Sequence, residues 1–475
     1  MSNQLLAEFK SYVKNKKVAV LGAGISNRPL IRWLYPLTEE IHVFDRLTEE
    51  DDVLRKTIND FAAEGLELNW SLGPAYLDTL IDFDLIFRTP FIRPDIPQLV
   101  AERARGARVT SEMELFLQLC PAPVTAVTGS DGKTTTTTLI SLMLRQAGHK
   151  VYIGGNIGTP LLDQIENIRS GDQVVVELSS FQLMDMEAKI HTAVVTNVAP
   201  NHLNYHLDYA EYCAAKKNIF RLQSESDILV LNAANAESSS WAGESKARVR
   251  FFNCDKSEAA HSWLDNKFIE LKTCADDLEI ALLARDEVLL PGRFNLDNIQ
   301  AAVLATLDSA GFEDMQQVAK SFRGVQHRLE WIRRLDGADW YNSSIDTSPD
   351  RTLKTLEALR EQGRDIVLIA GGKDKNSNYE KLGQAIVKST SRIVFVGANA
   401  PLIEASILAA AGAEELAELE IRHCDSYGEA IASARELSVP GDAVVLSPAG
   451  TSFDHFRHFE ERGNIFRQLV LAEKA

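Results

Sequence analysis

The stretch Val124-Thr125-Ala126-Val127-Thr128-Gly129-Ser130-Asp131-Gly132-Lys133-Thr134-Thr135 is a β-branched apolar run that breaks into a glycine-rich turn and continues as a helix. This order reads as a phosphate-binding loop. The strand delivers the backbone to Gly129, the glycines let amide groups approach an anion closely, and the helix points its positive end at that anion. Lys133 would neutralise the outer phosphates, and Thr134 would offer its hydroxyl to a magnesium ion. Leu139, Ile140, Met143 and Leu144 recur at helical spacing on one face of the segment that follows. The usual loop of this kind places four residues between its first glycine and the Gly-Lys pair. Here only Ser130 and Asp131 intervene, and Val127 stands where the usual glycine would be. A plain turn between a strand and a helix is the competing reading, and the full strand-turn-helix context favours phosphate.

The surrounding chain has 475 residues, room for about three domains. Hydrophobic residues at 45% and charged residues at 25% are those of a globular protein rather than a disordered one. A formal net charge of −17 argues against a general nucleic-acid or membrane-surface binder. Positive charge must then be concentrated locally wherever phosphate is handled. The five cysteines, Cys120, Cys213, Cys254, Cys274 and Cys424, are scattered and odd in number, as expected of reduced thiols in the cytoplasm. Met1 to Lys17 lacks the apolar centre of a secretory signal, and no 18-residue apolar run predicts a membrane span.

The alternation of buried-strand and helix patterns predicts an α/β protein of three segments, 1–107, 108–324 and 325–475. In the first, Val18 to Leu21 leads into Gly22-Ala23-Gly24-Ile25-Ser26-Asn27, a helix through Leu34 and a second strand ending at Asp45. This is a dinucleotide-type fingerprint with Asn27 at its third glycine. An NAD site and a Rossmann-like fold holding another nucleotide both fit it. Leu85-Ile86-Phe87 is a further strand, and Ser111 to Glu114 a capped helix start. The second segment predicts strands at Val151 to Ile153, Val174 to Leu178, Ala193 to Val198 and Asp227 to Asn232, with a helix from Tyr209 to Leu222. Residues 245–290 have a mixed pattern that includes antiparallel strands. In the third segment the strands are Ile366 to Ile369, Ile393 to Val396 and Ala443 to Leu446.

Ligands of open α/β sheets bind at the carboxyl ends of strands, which singles out Glu177-Leu178-Ser179-Ser180 and Asn201-His202. A carboxylate closing an apolar strand needs a partner, and a metal accompanying a nucleotide would serve Glu177. His202 suits a phosphate or metal contact and equally a structural hydrogen bond. Lys216, in Ala214-Ala215-Lys216-Lys217, reads on residue type alone as a solvated surface lysine.

Taken together, these residues resemble the Mur ligases, ATP-dependent amide-forming enzymes of peptidoglycan precursor synthesis. The likeness spans nearly the whole chain. The family's short phosphate loop matches Thr128 to Thr134, with Asp131 where asparagine is usual. Gly154 to Gly158, Glu177 to Leu183, Leu290 to Asn295, His327-Arg328 and Leu446 to Ala449 follow in order, and the tail Ser452 to Gly463 is most characteristic of the member that adds D-glutamate. The resemblance implies three α/β domains. A Rossmann-like N-terminal domain holds the UDP-sugar, a P-loop ATPase-like central domain holds ATP, and a Rossmann-like C-terminal domain holds the amino acid. The implied substrates are UDP-N-acetylmuramoyl-L-alanine, D-glutamate and ATP, handled by a cytoplasmic monomer.

Residue by residue, it implies that Gly129, Ser130, Asp131, Gly132, Lys133, Thr134 and Thr135 bind ATP, together with Asn298, Arg328 and Asp346. Thr134, Glu177, His202 and Lys216 would hold two Mg2+ ions, Lys216 as a carbamate, and Lys133, Glu177, His202 and Lys216 form the catalytic set. Ser26, Asn27, Asp45, Arg46 and Asn156 fall at the UDP-sugar site, and Thr347, Lys375, Ser452 and Phe459 at the amino-acid site. The chain departs from the family pattern at Asn201 and Asn204 beside His202, at Phe294, and at Phe91, where glycine is usual. It also departs at Ser343, where an acid is usual. Whether Asp346 takes that acid's place stays open, as do a folate- or cyanophycin-type ligase and a nucleotide-binding relative without activity.

Overall fold

The computed structural model describes residues 3–253, 261–265, 267–272 and 279–474, so Cys254 and Cys274 lie outside the described residues. Cys120, Cys213 and Cys424 are free thiols. The chain forms two compact units, Met1–Leu282 with Asn298–Met315, and Leu283–Asp297 with Gln316–Ala475.

The first unit contains two parallel sheets. In the first sheet, β1 (Lys17–Leu21), β2 (Glu40–Asp45), β3 (Asn69–Leu72), β4 (Leu85–Arg88) and β5 (Arg108–Thr110) stand in the order β3-β2-β1-β4-β5. Strand order reverses between β1 and β4, which opens a crevice at their carboxyl ends. Because β5 pairs with β4, this sheet runs past the boundary expected at residue 107. The second sheet comprises β6 (Val124–Thr128), β7 (Val151–Gly155), β8 (Gln173–Glu177), β9 (Thr192–Val195), β10 (Ile228–Asn232) and β11 (Arg248–Phe252), ordered β11-β10-β9-β6-β8-β7. Its inner strands are largely apolar on both faces and buried except at Gln173, which opens β8, the signature of a parallel sheet covered by helices on either side.

The Glu112–Leu119 helix joins the two sheets. Ser111 caps it by accepting from the Glu114 amide at 3.2 Å. Met113, Leu115, Phe116, Leu117 and Leu119 are all buried, so the helix is apolar nearly all round and belongs to one core shared by both sheets.

Two expected elements are shorter than their sequence patterns. β9 ends at Val195 rather than Val198, because Thr196 and Asn197 turn their side chains onto the phosphate-type loop. The Tyr209–Lys217 helix stops short of Leu222, its Asn218 end bonded to the carbonyls of Leu183 and Met184. Within 245–290, β12 (Ser262–Leu264), β13 (Phe268–Lys272) and β14 (Glu279–Ala284) form a small sheet, antiparallel where β12 meets β13.

In the second unit β15 (Glu330–Leu335), β16 (Ala338–Asn342), β17 (Ile366–Ala370), β18 (Arg392–Phe395), β19 (Glu420–His423) and β20 (Ala443–Leu446) are ordered β15-β16-β20-β17-β18-β19. β15 and β16 form an antiparallel hairpin on an otherwise parallel sheet. Two apolar layers, one around Leu356, Leu382 and Ile403, the other around Trp340, Ile431 and Phe466, cover its faces. Among the described residues no helix is long and apolar enough to cross a membrane.

Candidate active site

β6 ends at Thr128 and the chain turns through Gly129 and Gly132, both at positive φ (150° and 79°), into the Lys133–Gln146 helix. These glycines are required by close approach. A Cβ on Gly129 would stand 1.9 Å from Thr196 Oγ1, and one on Gly132 would stand 2.4 Å from Asn298 Oδ1. The turn is fastened from β9: Asn197 Oδ1 accepts from the Ser130 and Asp131 amides at 3.1 and 2.9 Å, and Thr196 Oγ1 donates to the Asp131 carbonyl at 2.5 Å. Ser130 Oγ meets Tyr212 OH at 2.8 Å and donates to the Ala199 carbonyl at 2.9 Å. Asn298 accepts from Thr136 Oγ1 at 3.2 Å, which brings the Arg293–Thr306 helix against the first turn after the loop.

Lys133 folds back over the loop and donates to the carbonyls of Gly129 and Ser130, both at 2.9 Å. Thr134 donates to Glu177 Oε2 at 2.8 Å, and Asn156 donates to Glu177 Oε1 at 2.8 Å. Glu177 is 1% exposed at the end of β8, so both oxygens of a buried carboxylate are held by side chains from two different loops. Gly155 makes this possible, since a Cβ there would lie 2.1 Å from the Glu177 carbonyl oxygen.

Lys216 is not the surface lysine its residue type suggests. It is 1% exposed and reaches from the Tyr209–Lys217 helix to the Gly129 carbonyl at 2.8 Å and Thr128 Oγ1 at 3.3 Å, with its ammonium position 4.7 Å from the Tyr212 ring. Burial, and then the nearby Lys133, pull its pKa well below the usual lysine value. His202 sits at φ 55° on an exposed turn, 4.9 Å from the Phe181 ring. Its pKa is also lowered, first by desolvation and then by Lys133 and Lys216, which favours the neutral imidazole. Among the described residues no three His, Cys, Asp or Glu side chains gather as a preformed metal cluster. One carboxylate beside one hydroxyl suits a magnesium ion, which keeps several waters and takes its remaining ligands from phosphates.

At the rim of the first sheet, Asp45 closes β2 and accepts from the Ala23 amide at 2.9 Å and the Leu47 amide at 3.0 Å. Asn27 is buried, its amide donating to the carbonyls of Leu21 (3.1 Å) and Gly22 (2.8 Å). It locks the loop after β1, doing with hydrogen bonds what the third glycine of the fingerprint does by close packing. Ser26 and Arg46 are exposed on the same rim.

The second unit carries its own polar rim. Asp346 is buried and accepts from Thr355 Oγ1 at 2.8 Å and Ser447 Oγ at 2.7 Å, with Ser343 a further hydrogen-bond partner. Burial raises its pKa. Arg462, fully buried, donates to Ser344 Oγ (2.9 Å), the Ser344 carbonyl (2.7 Å) and the Gly450 carbonyl (3.1 Å). It therefore ties together the loops after β16 and β20. Ser452 is buried beside them, Thr347 and Phe459 are half-buried, and Lys375 is exposed on the loop after β17. Arg328 is half-buried beside His327, whose ring is 6.2 Å from that of Phe459.

Sequence reasoning missed Thr196, Asn197, Tyr212 and Arg462 as site-shaping residues. Thr196 and Asn197 carried a signal, being polar residues directly after a buried strand. Tyr212 and Arg462 carried none, because nothing local shows that a helix residue is buried.

The Mur ligase middle domain family matches residues 127–306, and the Mur ligase glutamate ligase domain family matches residues 327–450. The UDP-N-acetylmuramoylalanine--D-glutamate ligase of Ruminiclostridium cellulolyticum is 45% identical over 469 residues, 98% of this chain and 99% of that one. The protein of that name from Acetivibrio thermocellus is 44% identical over the same shares, and that from Clostridium tetani is 41% identical over 468 residues, 98% of this chain and 99% of its own. Among solved structures, a UDP-N-acetylmuramoyl-L-alanyl-D-glutamate--2,6-diaminopimelate ligase (15% identity, TM-score 0.56, 91% of this chain and 93% of that one) shares the fold. So does MurF from Acinetobacter baumannii (16% identity, TM-score 0.56, 97% of this chain and 92% of that one).

Proposed function

Since the chain belongs to the Mur ligase family, we propose that it joins D-glutamate to UDP-N-acetylmuramoyl-L-alanine at the expense of ATP, acting as a cytoplasmic monomer of peptidoglycan precursor synthesis. The observation that carries this reading is the buried Glu177 carboxylate, gripped by Thr134 of the phosphate loop on one oxygen and by Asn156 on the other. It joins the ATP end of the site to the loop assigned to the UDP-sugar. The names of the relatives supply D-glutamate as the amino acid. We assign residues 1–110, through the last strand of the first sheet, to the UDP-sugar domain, 111–324 to the ATP domain and 325–475 to the amino-acid domain.

In the reaction, an oxygen of the L-alanyl carboxylate attacks the γ-phosphorus of ATP and ADP leaves, giving an acyl phosphate. The amino group of D-glutamate then attacks the acyl carbon, phosphate leaves and the amide forms. The protein contributes alignment and charge neutralisation. Lys133, now bonded to two loop carbonyls, exchanges them for phosphate oxygens, and the first amides of its helix face the same anion. Thr134, Glu177, His202 and a carbamylated Lys216 would hold Mg2+, which when bound offsets the charge developing on the phosphates. The buried Lys216 amine, whose proton is held less tightly than a solvated lysine's, is suited to adding CO2: its nitrogen bonds the carbon, a proton leaves, and an anionic carboxylate replaces the amine. Neutral His202 steadies the acyl phosphate. Asn298, Arg328 and Asp346 serve the nucleotide. Ser26, Asn27, Asp45 and Arg46 shape the UDP site, and Thr347, Lys375, Ser452 and Phe459 receive D-glutamate, Lys375 neutralising a carboxylate.

The test omits the amino acid. With ATP, Mg2+, UDP-N-acetylmuramoyl-L-alanine and hydroxylamine, the protein should yield the hydroxamate of the alanyl carboxylate together with ADP. ADP released equally without the UDP-sugar, and no hydroxamate, would overturn the reading in favour of a nucleotide-hydrolysing relative.

A further inference from the structure

Phe91 is 78% exposed, yet the backbone on both sides of it is tied down. Arg88, 2% exposed, donates to the Ile92 carbonyl at 3.0 Å and pairs with Asp185. The Ile92 amide donates to the Thr89 carbonyl at 3.1 Å, and Tyr205 OH donates to the Pro90 carbonyl at 2.8 Å. Arg93 closes the loop by donating to the Tyr205 carbonyl at 2.8 Å and pairing with Glu211 at 2.7 Å. A large apolar side chain left in water forgoes the gain of burial. A ring whose backbone is fixed in advance loses little further freedom when a ligand covers it.

The position of that surface is specific. Phe91 follows β4, at the crevice where strand order reverses in the first sheet, and its loop packs on the loop after β1 so closely that a Cβ at Gly22 would lie 2.7 Å from Thr89 Cγ2. Its ring stands 5.8 Å from that of Phe181, which in turn lies 4.9 Å from His202. Phe91 therefore lies between the rim assigned to the UDP group and the histidine assigned to the acyl phosphate.

We infer that Phe91 is a specificity-determining contact, its ring covering the apolar C–H face of the N-acetylated, lactyl-bearing sugar of the nucleotide-sugar substrate. The inference rests on the proposed ligase reading and names the group that bridges the two ends of that site. Aromatic rings supply such contact area at little conformational cost, since only two torsions are fixed. Phe181 supports the ring from behind, itself stacked on His206 at 5.7 Å and 8°.

Steady-state kinetics of Phe91→Ala and Phe91→Tyr, with each substrate varied in turn, tests this. The KM for UDP-N-acetylmuramoyl-L-alanine should rise at least tenfold in Phe91→Ala. The KM values for ATP and D-glutamate should stay within twofold, and Phe91→Tyr should restore the sugar KM to near that of the parent. The thermal midpoint should not move, because the ring is exposed. An unchanged sugar KM in Phe91→Ala would overturn the contact, as would parallel rises for all three substrates, equal impairment in the tyrosine variant, or a lowered KM on truncation. Failure of the ligase reading would look different: the parent protein itself would form no amide.

Discussion

At the scale of single residues, Lys216 carries the most chemical information and was the least legible. Ala-Ala-Lys-Lys at a helix end has the composition of a solvated face, and only the fold shows that the β6 turn covers one lysine of the pair, while its neighbour Lys217 reaches out to Glu244. Burial depends on what packs over a residue, and no local pattern records that. Glu177 was legible, because an acid that closes an apolar strand must be paired. Lys216→Ala should lower kcat by at least about 100-fold, the scale of losing one preorganised electrostatic contact. Added short carboxylates such as formate or acetate should restore part of it without bicarbonate, by placing a carboxylate where the carbamate would stand. Full activity without any additive would contradict the carbamate assignment. Lys133→Ala should nearly abolish ligation, and a variant retaining parental kcat with a normal ATP KM would show that its ammonium does not serve the phosphates.

At the scale of elements, the strand-turn-helix order around Gly129 to Thr135 was legible, because glycine spacing states where backbone must come close. What the spacing could not supply was the partner of that close approach, which is Thr196 Oγ1. Gly129→Ala should therefore unseat the turn, and loss of ATP protection in a thermal-shift assay with the fold retained by circular dichroism is the expected signature.

The Glu112–Leu119 helix offers a pH test. Glu112 is buried, accepts from the Leu162 amide at 3.1 Å, and has its pKa pushed up to about 7 by desolvation from an ordinary 4.5. Between those values the folded protein keeps a proton that the unfolded chain has lost, so stability falls as pH rises from 4.5 to 7 and levels off above. Glu112→Gln mimics the protonated form. Its thermal midpoint should match the parent near pH 4.5 and exceed it by a few degrees at pH 8, whereas a constant offset across that range would contradict the buried-proton account.

At the scale of the whole molecule, the alternation of apolar runs with helical patterns was enough to predict the parallel sheets, since strands covered on both faces are apolar throughout. The strands it overlooked, β3, β5 and β19, are edge strands. Asn69 to Leu72 and Glu420 to His423 carry the polar and charged side chains that edges tolerate and that strand patterns penalise. The β15–β16 hairpin was missed for a related reason, its charged Glu330, Arg333 and Arg334 masking the alternation. The dinucleotide-like loop after β1 left an NAD enzyme open, and Asn27 shows why that fingerprint was imperfect: its amide fastens the loop instead of making room for helix packing. MgATP and UDP-N-acetylmuramoyl-L-alanine should each raise the thermal midpoint, while NAD at the same concentration should leave it unmoved. A shift with NAD alone would reopen the oxidoreductase reading.

Ligation of D-glutamate driven by ATP is read out by phosphate release with UDP-N-acetylmuramoyl-L-alanine and each glutamate enantiomer in turn. One phosphate per amide formed is expected with D-glutamate, and neither phosphate nor amide above background with L-glutamate. Equal turnover with both enantiomers, or phosphate release with D-glutamate and no amide product, would contradict it.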